Sequence, residues 1–109
     1  GNSSQCELDS IKPKVVPNSD NQWQVFTRAK GVKPNSVWFG RATDSNSKYT
    51  DFAVIITNVK TDDRRFLLFS FDEAENPTLV YEEKTTAKYI EDVYSYGGSD
   101  IMVEYYYAI

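Results

Sequence analysis

The pattern of apolar and polar positions centres on residues 51–71, DFAVIITNVKTDDRRFLLFSF, where two apolar runs of strand length flank a polar hexapeptide. Ala53-Val54-Ile55-Ile56 and Phe66-Leu67-Leu68-Phe69 are rich in residue types that fit a pleated, packed surface. Between them Lys60-Thr61-Asp62-Asp63-Arg64-Arg65 is polar throughout, and aspartates suit a tight turn because their carboxylates bond backbone N–H groups two residues on. The stretch predicts a β-hairpin. Because successive strand residues point to opposite sides, Phe52, Val54 and Ile56 oppose Ala53, Ile55 and Val59, while Leu67, Phe69 and Phe71 oppose Phe66 and Leu68. Both faces are largely apolar, whereas a sheet with one solvated face would alternate. Each side of the hairpin therefore needs a cover: a barrel wall, a helix, the N-terminal tail or another subunit.

The rest of the chain arranges itself around this hairpin. Residues 1–21, with Pro13 and Pro17, read as a polar tail. Residues 22–28 alternate, with Trp23, Val25 and Thr27 on one side, and predict a first strand. Residues 30–35 combine Gly31, Pro34 and Asn35 and predict a loop; residues 36–42 predict a strand with Val37, Phe39 and Arg41 opposing Trp38 and Gly40. After an acidic turn at residues 72–77, residues 78–84 predict a strand with Leu79, Tyr81 and Glu83 on one face and Val80 and Glu82 on the other. Residues 86–96 fit two descriptions. As a helix they have Thr86 as N-cap, an apolar stripe of Ala87, Ile90, Val93 and Tyr94, and Gly97 as a left-handed terminator. As a strand they place Ile90, Tyr94 and Tyr96 on one face, with residues 97–100 turning into a closing hairpin. Residues 100–109 predict a last strand, with Ile101, Val103, Tyr105, Tyr107 and Ile109 opposing Met102, Glu104, Tyr106 and Ala108.

The expected fold is all-β: an antiparallel meander forming a small barrel or sandwich of six to seven strands, with residues 22–109 as a single domain after the tail. The alternative is α+β with one helix near residues 86–96. Short polar connections favour antiparallel pairing, since parallel strands need crossovers of about a dozen residues or more.

Composition narrows function more than it alters the fold. The length of 109 residues suits one domain with an ordinary core. A net charge of −4 repels phosphate backbones and argues against general nucleic-acid binding. No apolar run approaches the length of a membrane span, and the first residues lack the order of a secretory leader. Cys6 is the one cysteine, so no internal disulfide forms, and Asn2-Ser3-Ser4 fits a glycosylation acceptor. With no histidine, Cys-His and Ser-His catalysis are excluded, and no phosphate loop, zinc spacing or calcium loop is present, so no cofactor is expected. Carboxylates alone remain as acid/base candidates. Asp62-Asp63, Asp72-Glu73-Glu75, Glu82-Glu83 and Glu91-Asp92 fall mostly in turns or at solvated strand positions, which favours a protein that is not an enzyme.

Trp23-Gln24-Val25-Phe26-Thr27-Arg28-Ala29-Lys30, Val37-Trp38-Phe39-Gly40, the central hairpin, Glu83-Lys84-Thr85-Thr86-Ala87, Asp92-Val93-Tyr94-Ser95-Tyr96 and Asp100-Ile101-Met102-Val103 follow one another in an order that resembles the strands of the short lipocalins of tick saliva. That resemblance implies a secreted, extracytoplasmic up-and-down barrel that sequesters a small ligand, in some members a biogenic amine. It carries over no individual binding residue.

Aromatic residues make up 15% of the chain and include eight tyrosines, which makes them the main candidates for recognition. Trp23, Trp38, Phe39, Tyr81, Tyr94, Tyr96, Tyr105 and Tyr107 come from several strands and are of the type that lines ligand cavities in small barrels; Glu82 and Glu104 fall on strands and, if they face inward, pair with a cationic ligand. The first expectation is therefore a non-catalytic binding protein holding a small apolar or cationic ligand. The alternative is an acidic protein-binding or inhibitory module, acting through an exposed Tyr-rich sheet face, because Tyr105-Tyr106-Tyr107 must present a ring to each side of a strand. Association into oligomers is compatible with either.

Overall fold

The computed structural model describes residues 32–44, 47–74, 76–97 and 100–107; within them the chain forms six antiparallel strands and no helix. The polar tail, the strand expected at residues 22–28 and Trp23 lie outside the described residues. Strands β1 (Val32–Gly40), β2 (Asp51–Asn58), β3 (Arg64–Phe71) and β4 (Pro77–Lys84) make one sheet in chain order. Strands β5 (Tyr89–Ser95) and β6 (Ile101–Tyr106) make a second.

The central hairpin is β2–β3, registered Ala53 to Leu68, Val54 to Leu67 and Ile55 to Phe66. Its turn begins at Asn58, whose carboxamide oxygen accepts from the amides of Lys60 and Thr61 at 3.0 and 3.1 Å. Asp62 takes the left-handed conformation at φ 63°, which closes the turn and lets its amide donate to the Asn58 carbonyl at 2.8 Å. Arg64 and Arg65, expected in the turn, belong to β3. Long aliphatic stems lie along a packed surface while their charged ends find partners: Arg64 donates to Thr57 Oγ1 and the Thr86 carbonyl, and Arg65 pairs with Asp63 and Glu82.

Both faces of the central hairpin are buried, as its two-sided apolar pattern demands. One face carries Phe52, Val54, Ile56, Leu67, Phe69 and Phe71, with Tyr49 and the partly buried Val32 and Phe39. This cluster draws no residue from β5 or β6. The other carries Ala53, Ile55, Phe66 and Leu68, packed against Ala87, Val93, Ile90, Ile101, Val103 and Tyr105. The β5–β6 hairpin therefore covers the second face and does not extend the meander.

The chain leaves the first sheet after Lys84. Thr85 N donates to the Arg64 carbonyl, and Thr85 Oγ1 accepts from Ala87 N, which sets the fully buried Ala87 under the second sheet. Beside β1, Ile90 N donates to Ser36 Oγ at 3.1 Å. Beside β4, the Tyr105 hydroxyl donates to Glu83. The two sheets thus meet at both edges through side chains. Among the described residues the strand order gives two sheets of four and two strands, an arrangement consistent with a sandwich in which these strands do not close a barrel.

Three bulges decide which residues share a face. In β1 the register passes from Pro34 opposite Ile56 to Ser36 opposite Ile55, leaving Asn35 unpaired. The loop expected at residues 30–35 is thus strand from Val32 on; among the described strands β1 pairs with β2 alone, and proline is tolerated at a bulge of this kind. In β4 the register passes from Tyr81 opposite Leu68 to Leu79 opposite Phe69, so Val80 is the extra residue and Leu79 and Tyr81 face opposite ways. In β5 it passes from Ile90 opposite Tyr105 to Asp92 opposite Glu104. Glu91 is the extra residue there, which turns Ile90 and Val93 inward and Tyr94 outward. Within residues 86–96, Tyr89–Ser95 form a strand and none of the stretch is helical, and the expected sharing of one face by Ile90 and Tyr94 is corrected by that bulge. Gly97, at φ 109°, adopts the positive φ required where the β5–β6 connection begins.

Candidate functional site

The outward face of β5–β6 is an ordered stripe of aromatic and acidic residues. Cross-strand pairing puts Tyr89 opposite Tyr106, then Asp92 opposite Glu104, then Tyr94 opposite Met102, with Tyr96 just beyond the strand end. Relative exposure is 43% for Tyr89, 57% for Tyr106, 42% for Met102 and 80% for Tyr96, so large apolar surface faces solvent. The rings of Tyr89 and Tyr106 lie 6.2 Å apart, and those of Tyr94 and Tyr96 meet edge to face at 5.4 Å. The neighbouring Tyr96 hydroxyl and Glu104 carboxylate push the pKa of Tyr94 up to about 12. The acidic pair is energetically awkward, because like charges directly opposite one another on paired strands repel. The stripe is held in place from beneath by Ile90, Val93, Ile101, Val103 and Tyr105, which anchor the hairpin in the core.

A second feature lies at the seam between β4 and β6. Glu83 Oε2 accepts from Tyr81 at 2.8 Å and Oε1 accepts from Tyr105, so one carboxylate holds two tyrosine hydroxyls. Burial, then the bond to Glu83, raises the Tyr105 pKa well above the ordinary tyrosine value; the same carboxylate raises that of Tyr81. An open groove of about 540 Å³ runs alongside, lined in part by Arg64, Glu83, Thr86, Tyr105 and Tyr107.

The residues singled out from sequence separate into four places. Trp38, Tyr81 and Tyr105 pack against the core between the sheets. Phe39 lies on the opposite face of the first sheet, against Phe52 at 5.1 Å. Glu82 shares that opposite face and is occupied by Arg65 at 2.8 Å. Tyr94, Tyr96 and Glu104 are brought together on the outward stripe, and Tyr107 borders the groove. They do not line one common cavity. Tyr89, Asp92 and Met102 join the stripe without having been singled out for recognition, and Tyr106 joins it from the Tyr105-Tyr106-Tyr107 run. The alternation of residues 100–109 already set Met102, Glu104 and Tyr106 on one face, but Tyr89 and Asp92 depended on the bulge at Glu91.

Carboxylate pairs are mostly spent on structure. Asp72 accepts from the amides of Ala74 and Asn76 and from the Asn76 carboxamide, which caps the turn before β4, and Asp63 is held by Arg65. Among the described residues no group of three or more acidic, cysteine or histidine side chains is arranged to hold a metal ion, and no helix is long and apolar enough to cross a membrane.

Comparison with protein-family models, with curated proteins and with solved structures found no match for this chain.

Proposed function

We propose that the chain is a non-catalytic binding module that docks another protein through the outward face of β5–β6. The observation that carries this reading is the solvent-facing row Tyr89, Tyr106, Tyr94, Met102 and Tyr96 on a strand pair whose other face is anchored in the core. Tyrosine and methionine supply contact area at low conformational cost and are enriched at protein interfaces, and sites built on rigid strands hold their geometry. Keeping so much aromatic surface in water stabilises nothing in the isolated fold, whereas covering it on association is favourable.

The test is a pull-down with the native chain and with a Tyr96→Ser/Tyr106→Ser variant. Both substituted positions are exposed, so the fold is expected to persist, as circular dichroism will verify. The native chain should retain a stoichiometric protein partner that the variant loses. Identical recovery by both chains would remove the reading.

Sequestration of a small ligand is a second reading. It is favoured by the open groove, where Glu83, Tyr105 and Tyr107 offer a carboxylate and aromatic walls. A ligand that binds the folded state alone raises the melting temperature, so a thermal-shift screen should find one whose effect disappears in Tyr107→Ser.

A further inference from the structure

We infer that the protein segment received by the β5–β6 face is basic and is anchored by an arginine side chain placed over the Asp92–Glu104 pair. This rests on the protein-docking reading above and names the chemistry of the partner.

Asp92 and Glu104 stand directly opposite each other, between the Tyr89–Tyr106 pair on one side and Tyr94 with Met102 on the other. Two like charges facing across a ladder weaken the hairpin, and the register puts no basic residue opposite either of them on that strand pair. A cation delivered from outside relieves the repulsion. Three of the four groups flanking it, Tyr89, Tyr106 and Tyr94, are aromatic rings, over which a cation is further stabilised by the ring quadrupole.

Arginine fits this geometry better than lysine. Its guanidinium is planar, carries five donors and bonds two carboxylate oxygens at once while stacking on a ring; an ammonium is a compact, strongly hydrated point charge. The rings beside the pair are also preset: those of Tyr94 and Tyr96 meet edge to face at 5.4 Å before anything binds.

Charge also decides against other occupants. A second copy would bring the same acidic pair into an isologous contact, and nucleic acid would bring phosphates; both add repulsion at the centre of the patch. The net charge of −4 favours a basic partner over the whole surface.

Titration calorimetry of the intact chain with three synthetic peptides tests the inference: alternating Gly-Arg, the same length of alternating Gly-Lys, and alternating Gly-Glu. The Gly-Arg peptide should bind at least threefold more tightly than Gly-Lys, and Gly-Glu should not bind. Asp92→Asn/Glu104→Gln should weaken Gly-Arg binding at least fivefold and flatten its dependence on salt, and Tyr96→Ser should weaken it as well. Equal binding of the Gly-Arg and Gly-Lys peptides, or binding unchanged in Asp92→Asn/Glu104→Gln, overturns the arginine assignment. That failure is distinct from failure of the docking reading, which is judged separately by whether Tyr96→Ser/Tyr106→Ser loses its protein partner. Sedimentation analysis adds one further outcome: a dimer of the native chain abolished by Tyr96→Ser would leave the face as an interface and overturn the basic partner.

Discussion

The Tyr105 hydroxyl on β6 donates to the Glu83 carboxylate on β4 and so joins the second sheet to the edge of the first that lies away from β1. The ring of the same tyrosine sits edge-on to Phe66 at 6.1 Å, which makes Tyr105 both a core residue and a polar tie. Hydrogen bonds to charged groups contribute about 1.5–3 kcal/mol. Tyr105→Phe keeps the ring and removes the bond, so urea unfolding should show a loss of about 2 kcal/mol. Tyr106→Phe, on the outward face, should change stability by less than about 0.5 kcal/mol.

Alkaline pH acts on the same tie. The folded-state pKa of Tyr105 is raised, first by burial and then by Glu83, so folding favours its protonated form. The stabilisation is therefore complete below the unfolded tyrosine value of about 10 and is lost as pH rises through the higher folded value. Absorbance at the tyrosinate band should show a late ionising step in the folded chain. Tyr105→Phe should remove one such step and Tyr94→Phe another, since Tyr94 is held up to about 12.

Asp51 organises the connection between β1 and β2. Its buried carboxylate accepts from the amides of Ala42 and Thr43, both at 2.8 Å, and from the Thr43 hydroxyl at 3.0 Å. Asp51→Ala leaves a buried amide without its acceptor and should lower unfolding free energy by about 3 kcal/mol. Asp51→Asn, which keeps one acceptor oxygen, should lose less.

Gly40 makes room for a neighbour two residues back. A Cβ at this position would stand 2.5 Å from Cζ2 of the Trp38 ring, which lies along the strand. Gly40→Ala must displace a ring packed against the core, and overpacking of this kind costs about 1–3 kcal/mol. In a Trp38→Leu background the same substitution should cost less, and a double-mutant cycle in urea measures the difference.

The bulge at Val80 sets apart two leucines that resemble each other in sequence. Leu68 is fully buried between the sheets, whereas Leu79 is 45% exposed. Leu68→Ala should cost about 2–5 kcal/mol. Leu79→Ala should cost well below that, and unfolding midpoints of the two variants settle the ordering.

Hydrophobic periodicity by itself favoured the all-β class and determined the central hairpin and the need to bury both its faces. Ala53, Ile55, Phe66 and Leu68 could be assigned to one face and Val54, Ile56, Leu67 and Phe69 to the other, because side-chain alternation is a local property of the strand. Residues 86–96 were legible only as one of two possibilities, since Ala87, Ile90 and Val93 fit an apolar stripe at helical spacing as well as an inward strand face interrupted at Glu91. A bulge leaves no apolar or polar mark of its own. Single extra residues at Asn35, Val80 and Glu91 reverse every side chain beyond them, and they therefore moved Tyr94 outward and parted Leu79 from Tyr81. The laying of β5–β6 across the first sheet was likewise settled by tertiary contacts, because the pairing of distant strands is a competition among whole arrangements. Alternation says that a face must be covered, but which strand covers it depends on burial summed over the entire chain. The stripe of tyrosines around Asp92 and Glu104 follows from that choice: the hairpin turns its aliphatic side to the core, and the residues left over meet the solvent together.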